Sequence, residues 1–175
     1  MAVEIKPEKS RARKLLTQER LKELLHYDPE TGVWTWRVSR GGRLAGSHAG
    51  TLSKALGYVM ISIDKEILYA HRLAMLYMTG NMPPEVDHVN RDGSDCKWKN
   101  LRAATHSENL ANVSGWSSNT SGARGVVYQK DARLYRANIE KNGKRIFLGY
   151  FKTVEEASAV YLEAARRLNG EFSYK

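Results

Sequence analysis

Apolar residues recur at helical and strand spacings along most of the chain, and short polar turns separate these segments. Leu21, Leu24 and Leu25 share one helical face behind a predicted N-cap at Thr17. A short strand is predicted at 33–36. A loop rich in Gly, Ser and Arg is predicted over 39–53.

The middle of the chain alternates between strand and helix patterns. Alternation over 57–63, with a return at 67–69, predicts a β-hairpin. A helix is predicted over 71–78 and ends at Gly80. The double proline at 83–84 then gives a rigid entry to a strand near 85–88. Thr105 and Glu108 have the spacing of a capping box, which predicts that another helix begins there.

The composition changes after residue 112. Residues 113–123 are small and polar, as is typical of a linker, apart from Trp116, which is expected to pack on a domain. Three strands are predicted beyond it, at 125–128, 134–139 and 145–150. A second capping box at 153–156 begins a helix with regularly spaced apolar residues. Three antiparallel strands on one helix form a two-layer unit.

Charge and cysteine content narrow the function classes. The 175 residues carry a formal net charge of +9 and give a pI near 9.7, which favours a polyanionic partner. An anionic membrane surface is the alternative partner, but the sequence has no apolar run long enough to span a bilayer. One cysteine excludes an intramolecular disulfide framework and a Cys-rich zinc site. The polar start resembles no secretory signal, so an intracellular location is expected.

The positive charge is concentrated in the three predicted C-terminal strands. Between residues 124 and 152 there are eight Lys or Arg residues and two acidic residues. Between 153 and 175 there are three basic and four acidic residues. A sheet that faces phosphates predicts this distribution, whereas a helix that reads the groove predicts the reverse.

Candidate chemistry is concentrated between residues 85 and 112. Asp87 and His88 are adjacent on a predicted strand, and Asn100 begins an Asn-Leu-Arg segment twelve residues after the histidine. Asn109 lies just inside the helix that Thr105 caps. A carboxylate, an imidazole and a carboxamide suit one hard divalent ion plus a neutral general base. Because adjacent strand residues point to opposite faces, Asp87 and His88 can lie on opposite sides of a phosphorus atom.

These residues resemble those of the HNH endonucleases with a ββα-metal motif, and most closely the phage and intron-encoded homing type. The resemblance rests on Val-Asp-His, a polar loop, Asn-Leu-Arg and Glu-Asn on a helix. It implies that His88 is the general base, that Asn100 ties the catalytic loop together, and that Asp87 and Asn109 bind one Mg²⁺ or Mn²⁺. The loop departs from the family at 95–97, which reads Asp-Cys-Lys instead of Asp-Asn-Arg. No zinc is expected.

The C-terminal segment resembles the DNA-binding domain of plant ethylene-response (Apetala-type) factors, which also occurs attached to phage HNH nucleases. Tyr-Arg-Ala-Asn-Ile, Asn-Gly-Lys, Leu-Gly-Tyr-Phe and a final Asn-Gly-Glu-Phe carry the likeness. The first strand departs from it, since Val127 and Gln129 stand where arginines are usual, so no base preference is implied. The resemblances imply that the sheet contacts DNA. The candidate DNA contacts are Arg72, Arg124, Tyr135, Arg136, Lys144, Arg145 and Phe147.

These observations predict an α+β protein with a basic arm over 1–16, a nuclease domain over 17–112, a linker over 113–123 and a DNA-binding domain over 124–175. The expected activity is metal-dependent hydrolysis of double-stranded DNA by a monomer or homodimer, in the cytoplasm of a bacterial host if the chain is phage-encoded. No membrane or other protein partner is expected. The alternative is a DNA-binding regulator in which the HNH segment is only a scaffold.

Overall fold

The structure, a computed structural model, describes residues 16–113 and 121–173. The predicted arm, except for residue 16, and most of the predicted linker, including Trp116, lie outside these ranges. The described elements are α+β, as the sequence predicts. No helix in the described ranges is long and apolar enough to cross a bilayer.

The N-terminal elements form a support around one buried core. Helix α1 (Gln18–Leu24) leads into the antiparallel pair β1 (Leu25–Tyr27) and β2 (Trp34–Trp36). A three-stranded sheet follows, with β4 (Tyr58–Ile63) between β3 (Thr51–Ser53) and β5 (Glu66–Tyr69). Helix α2 (Ala70–Thr79) ends at Gly80, whose φ is 73°. Leu73 and Trp34 are almost fully buried in the shared core, which fixes α2 beside the following strand.

The next elements form a ββα unit. Strand β6 (Glu85–His88) pairs antiparallel with β7 (Leu101–Ala104), and a 3₁₀ turn (Trp98–Asn100) precedes β7. Helix α3 (His106–Asn112) follows. The capping box is confirmed: the Thr105 side chain accepts from the Glu108 amide, and the Glu108 carboxylate accepts from the Thr105 amide at 2.8 Å.

The C-terminal elements form a second, smaller core. Strand β9 (Leu134–Lys141) lies between β8 (Val126–Gln129) and β10 (Lys144–Phe151), all antiparallel. Helix α4 (Val154–Asn169) packs on one face, and a 3₁₀ turn (Gly170–Phe172) ends it. Ala137 on β9 and Ala157 on α4 are completely buried, because small residues let the helix approach the sheet closely.

Three local features differ from the sequence prediction. Leu25 lies in a strand rather than at the end of the first helix, because it pairs with Trp36. Residues 51–53 form β3 inside the predicted loop, because β4 provides a partner strand. Thr153 caps α4 as predicted, but the Glu156 carboxylate accepts from the Lys152 amide, at 3.2 Å, one residue before the capping-box position.

Candidate active site

Asp87 and His88 lie at the end of β6 and make their side-chain contacts on different sides of the strand. The Asp87 carboxylate contacts Arg102 on β7 and Asn112 on α3. The His88 ring instead contacts His71 on α2 and Tyr58 on β4. This is the alternation that a strand imposes on adjacent residues. The two candidate groups therefore have separate environments, although they are neighbours in the chain.

The His88 imidazole is enclosed by aromatic rings. Its centroid is 4.8 Å from that of His71 and 5.8 Å from that of Tyr58, and the residue is 5% exposed. A Cβ on Gly93 would lie 2.7 Å from the Tyr58 ring, so only glycine lets the loop between β6 and β7 approach this close. Among the described residues, His88 Nε2 and His71 Nδ1 are buried and have no hydrogen-bond partner. A buried nitrogen without a partner is costly in a purely structural site.

Asn100 holds the loop between β6 and β7. Its side-chain carbonyl accepts from the Asn90 amide at 2.9 Å, and its side-chain NH₂ donates to the Asp95 carbonyl at 2.8 Å. Its backbone carbonyl also accepts from the Val89 amide at 2.9 Å. These bonds provide the loop-holding contacts that the sequence predicts for Asn100. They act on the backbone next to His88, so Asn100 supports the His88 segment without touching the imidazole ring.

The Asp87 carboxylate is held by two neighbours. Arg102 donates to Oδ2 from Nε at 2.8 Å and from Nη2 at 2.6 Å. Asn112 Nδ2 lies 2.9 Å from Oδ1 and 3.1 Å from Oδ2, and it also donates to the His88 carbonyl at 2.9 Å. The Asp87 side chain is 5% exposed and that of Arg102 is 15% exposed. Sequence reasoning assigned no role to Arg102 or Asn112, although Asn112 lies three residues after Asn109, on the same helical face.

Asn109 contacts Glu85 rather than Asp87. Its Nδ2 donates to Glu85 Oε2 at 2.5 Å, and His106 Nδ1 lies 2.6 Å from Glu85 Oε1. The hydrogen bonds from Asn109 and His106 lower the pKa of the Glu85 carboxyl. Because the Asn109 amide nitrogen is bound to Glu85, its carbonyl oxygen is the atom left to serve as a ligand. Sequence reasoning also missed Glu85, which the register places opposite Ala104, the last residue of β7 before α3 begins.

Burial decides the protonation of the two imidazoles. It lowers the pKa of His88 despite the nearby charges of Asp87, Asp92 and Asp95, which act in the opposite direction. Burial, followed by the charges of His88 and Arg72, lowers the pKa of His71 to about 3. Both rings are therefore neutral at neutral pH, and a neutral imidazole can accept a proton.

The buried neutral His71 predicts a loss of stability in acid. Its pKa is about 3 when folded, against an ordinary value of 6.5, so the unfolded chain binds the proton first as the pH falls. The contribution of neutral His71 to the free energy of unfolding is complete above pH 6.5 and declines between pH 6.5 and pH 3. Between pH 7.5 and 5.5 this histidine alone should cost about 1.4 kcal/mol. Urea unfolding at both pH values should show a smaller loss for His71→Phe, and equal losses for both proteins would contradict the expectation.

The sheet presents one face to helix α4 and the other outward. Alternation along β9 puts Ala137 and Ile139 on the helix face and Arg136, Asn138 and Glu140 on the outer face. The register then adds residues from β8 and β10 to the outer face. The residues that this places outward are Val127, Arg136, Arg145, Phe147 and Tyr150. Phe147 is 56% exposed and Tyr150 is 52% exposed, so large apolar rings and arginines share this surface.

Three predicted DNA contacts lie elsewhere. The Arg124 guanidinium donates to the Ala111 carbonyl at 2.9 Å, the Leu110 carbonyl at 2.7 Å and the Val113 carbonyl, so it caps the C-terminus of α3. The guanidinium is therefore occupied by α3, and a contact of Arg124 with DNA stays a prediction.

Arg72 and Tyr135 are the other two. Arg72 donates to the carbonyls of Pro83 and Pro84 at 3.1 and 2.9 Å, which holds the entry to β6. Tyr135 packs into the core between the sheet and α4. Lys144 is exposed at the start of β10, and Arg136, Arg145 and Phe147 are on the outer face, so these four remain candidates.

Residue 96 does not join the candidate site. Cys96 is buried, and burial raises the pKa of its thiol to about 12. Its backbone carbonyl accepts from the Tyr27 hydroxyl at 2.7 Å. This bond anchors segment 95–97, which differs from the family pattern, to the core. Within residues 16–113 and 121–173, no three His, Cys, Asp or Glu side chains form a group that could hold a metal ion.

The chain is similar in sequence to proteins of two viruses. The chain is 32% identical over 116 residues to an uncharacterized HNH endonuclease of Acanthamoeba polyphaga mimivirus, covering 65% of this chain and 59% of that protein. It is 28% identical over 88 residues to Protein 3.8 of Escherichia phage T7, covering 50% of this chain and 72% of that protein. The chain thus spans less than two thirds of the first relative's length.

The match to a family model covers helix α2 and nearly all of the ββα unit. The model described as HNH endonuclease matches residues 68–111, a range that runs from the end of β5 to the last turn of α3. This range contains Asp87, His88, Asn100 and Asn109. Residues 68–111 of this chain are therefore similar to the HNH endonuclease family, whose members are phosphodiester hydrolases that generally use a divalent metal ion.

Proposed function

We propose that this protein is a divalent-metal-dependent DNA endonuclease of the homing type, with a C-terminal unit that contacts the target. One observation carries the proposal. A buried, neutral His88 with an unpartnered Nε2 among the described residues is adjacent to a carboxylate that two neighbours hold in place. A structural histidine would gain from a hydrogen-bond partner, whereas a general base needs a nitrogen that is available to a water molecule.

The residues present fit a hard divalent ion. The proposed ligands are the Asp87 carboxylate and the Asn109 side-chain carbonyl, and both supply the oxygen atoms that Mg²⁺ and Mn²⁺ prefer. Arg102 occupies Asp87 Oδ2, while Oδ1 accepts a hydrogen bond from Asn112. When bound, such an ion neutralises negative charge on a phosphate and stabilises a leaving oxygen.

The chain's own residues perform the proton transfer. His88 Nε2 takes a proton from the water whose oxygen attacks phosphorus. The bond from phosphorus to the 3′ oxygen breaks, and that oxygen takes a proton from solvent. The products are a 5′-phosphate and a 3′-hydroxyl. Asn100 keeps the loop next to His88 in place, and Tyr58 and His71 restrict the ring. The low pKa of His88 keeps the base neutral and ready at neutral pH.

Metal dependence can be tested on the two proposed ligands. Asp87→Ala should reduce Mg²⁺-dependent cleavage more than Asn109→Ala, because Asp87 supplies a charge and Asn109 does not. EDTA should stop cleavage, and added Mg²⁺ or Mn²⁺ should restore it. Rates at several metal concentrations give the measurement. Stoichiometric zinc in active protein, or full activity of Asp87→Ala, would contradict the assignment.

The outer sheet face is the proposed DNA contact. It combines Arg136 and Arg145 with exposed rings of Phe147 and Tyr150. Long forked arginine donors suit guanine edges, while other basic residues hold phosphates. Arg145→Ala should lose discrimination at one base position in binding competition across variant sites. If the loss is even over all sites and the salt slope falls by about one, Arg145 is a phosphate contact instead.

A non-catalytic DNA-binding regulator is the second candidate. Its specific support is that Arg102 already neutralises Asp87, and that His88 is only 5% exposed. Such a protein would bind DNA through the sheet and leave it intact. Incubation of supercoiled plasmid with protein and Mg²⁺ separates the two functions, because only the nuclease produces nicked or linear DNA.

A further inference from the structure

The last turn of the C-terminal unit contacts Arg102, the residue that is paired with Asp87. Phe172, which is 9% exposed, lies in the 3₁₀ turn that follows α4. The guanidinium carbon of Arg102 is 3.8 Å from the centroid of its ring. Arg102 Nη1 also donates to the Glu171 carbonyl at 2.7 Å. The same guanidinium donates from Nε and Nη2 to Asp87 Oδ2.

These contacts use different parts of a rigid, planar group. The Phe172 ring covers the face of the guanidinium and so restricts the tilt of its plane. The Glu171 carbonyl binds one corner and so restricts rotation within that plane. The edge formed by Nε and Nη2 is then left to face Asp87. With both rotations restricted, the position of Asp87 Oδ2 is fixed by a turn that is 84 residues later in the chain.

The rest of the interface supports a fixed attachment. Arg124 binds the carbonyls at the end of α3, and the Asn142 amide donates to the Ser107 hydroxyl at 3.2 Å. Both contacts join α3, which carries Asn109 and Asn112, to the C-terminal unit. The C-terminal unit therefore contacts the two elements, β7 and α3, whose side chains hold Asp87.

We propose that Phe172 is a positioning residue for Asp87, acting through Arg102, so that the C-terminal unit completes the metal site as well as contacting DNA. This inference rests on the proposed metal-dependent nuclease function. It does not require Phe172 to touch substrate or metal. Its consequence is that a change at the C-terminal turn alters how tightly the nuclease site binds its ion.

Two substitutions separate positioning from packing. Phe172→Leu keeps an apolar side chain but removes the flat ring, whereas Phe172→Tyr keeps the ring. Phe151→Leu is the matched control, because Phe151 packs in the C-terminal core and is not among the contacts of Arg102. Mn²⁺ binding to the full chain without DNA, followed by electron paramagnetic resonance, gives a readout that does not depend on activity.

Phe172→Leu should weaken Mn²⁺ binding about 10-fold or more, the size of effect usual for residues that orient a metal ligand. Arg102→Lys should weaken it similarly, and combining the two should add little, because both act on one contact. Phe172→Tyr should bind Mn²⁺ as the wild type does. In cleavage assays, Phe172→Leu should need more Mg²⁺ for half-maximal rate, with the KM for DNA unchanged.

The outcomes distinguish this inference from the proposed function. If Phe172→Leu lowers the Tm as Phe151→Leu does but binds Mn²⁺ as tightly as the wild type, the positioning role is wrong. It is equally wrong if the wild type binds no Mn²⁺. If the wild type binds Mn²⁺, Phe172→Leu weakens that binding, and neither protein cleaves DNA, the nuclease function fails while the positioning role stands.

Discussion

His88→Ala should lower the rate of DNA cleavage by about 10²–10⁴-fold and leave DNA affinity nearly unchanged, because a general base acts in the transition state and adds little to ground-state binding. The imidazole is enclosed by Tyr58 and His71, and its buried Nε2 has no hydrogen-bond partner among the described residues. Single-turnover cleavage rates and gel-shift titrations of the same DNA measure the two quantities.

His71→Phe is the matched comparison for the base. It keeps a ring beside His88 and removes a second imidazole 4.8 Å away. If His88 alone is the base, His71→Phe should retain far more activity than His88→Ala. Near-normal cleavage by His88→Ala would remove His88 from the mechanism. A large loss in His71→Phe alone would transfer the proton-accepting role to His71.

Arg124→Met should destabilise the fold by about 2 kcal/mol and lower the Tm by roughly 4–8 °C. The guanidinium binds three carbonyls at the end of α3, and charged hydrogen bonds of this kind outweigh neutral ones. Two of the three bonds are exposed to solvent, so the estimate takes one buried contact at full strength and discounts the others. Thermal unfolding measures the change.

Arg145→Met is the control for Arg124, because it removes the same charge from an exposed position on β10. Its stability should remain within about 0.5 kcal/mol of the wild type. In DNA binding, Arg145→Met should lose more affinity than Arg124→Met, the reverse of their order in stability. The reason is that Arg145 is on the outer face of the sheet and Arg124 is occupied by α3. Equal stability of the two variants would mean that Arg124 does not support α3.

Local sequence signals predicted most of the elements because they act over a few residues. Thr105 and Glu108 form the capping box that their spacing predicts, and Gly80 ends α2 in the left-handed conformation. The alternation of β4 and β9 likewise matches the observed strands. Strand β3 was missed because residues 51–53 carry weak strand signals, and pairing with β4 stabilises them.

The candidate site was predicted only in part, because several of its contacts depend on the register and on docking. Asp87 and His88 are adjacent on β6 and Asn100 holds the following loop, but Asn109 contacts Glu85 instead of lying against Asp87, and the roles of all four stay predictions. The pairing of Asp87 with Arg102 requires knowing that these residues are opposite each other across a twelve-residue loop. The positions of Arg124 and Phe172 depend on how the C-terminal unit meets α3, which no local pattern encodes.

This docking changes the expected division of labour in the chain. From the sequence alone, the active site lies wholly before the linker, and deletion of residues 124–175 should leave a nuclease with weaker binding and poorer site preference. In the structure, Arg124 caps α3 and the C-terminal turn holds Arg102 against Asp87. The deletion should therefore also weaken the nuclease site itself.

We propose that this chain hydrolyses DNA with His88 as base and a divalent ion at Asp87. The most direct test is incubation of supercoiled plasmid with the wild-type protein and Mg²⁺, with EDTA and His88→Ala reactions in parallel. The account predicts nicked or linear DNA with the wild type and Mg²⁺, and intact plasmid with EDTA. His88→Ala should produce at least about 10²-fold less product. Intact plasmid in Mg²⁺ and in Mn²⁺, with the wild-type protein bound to it, would contradict the claim.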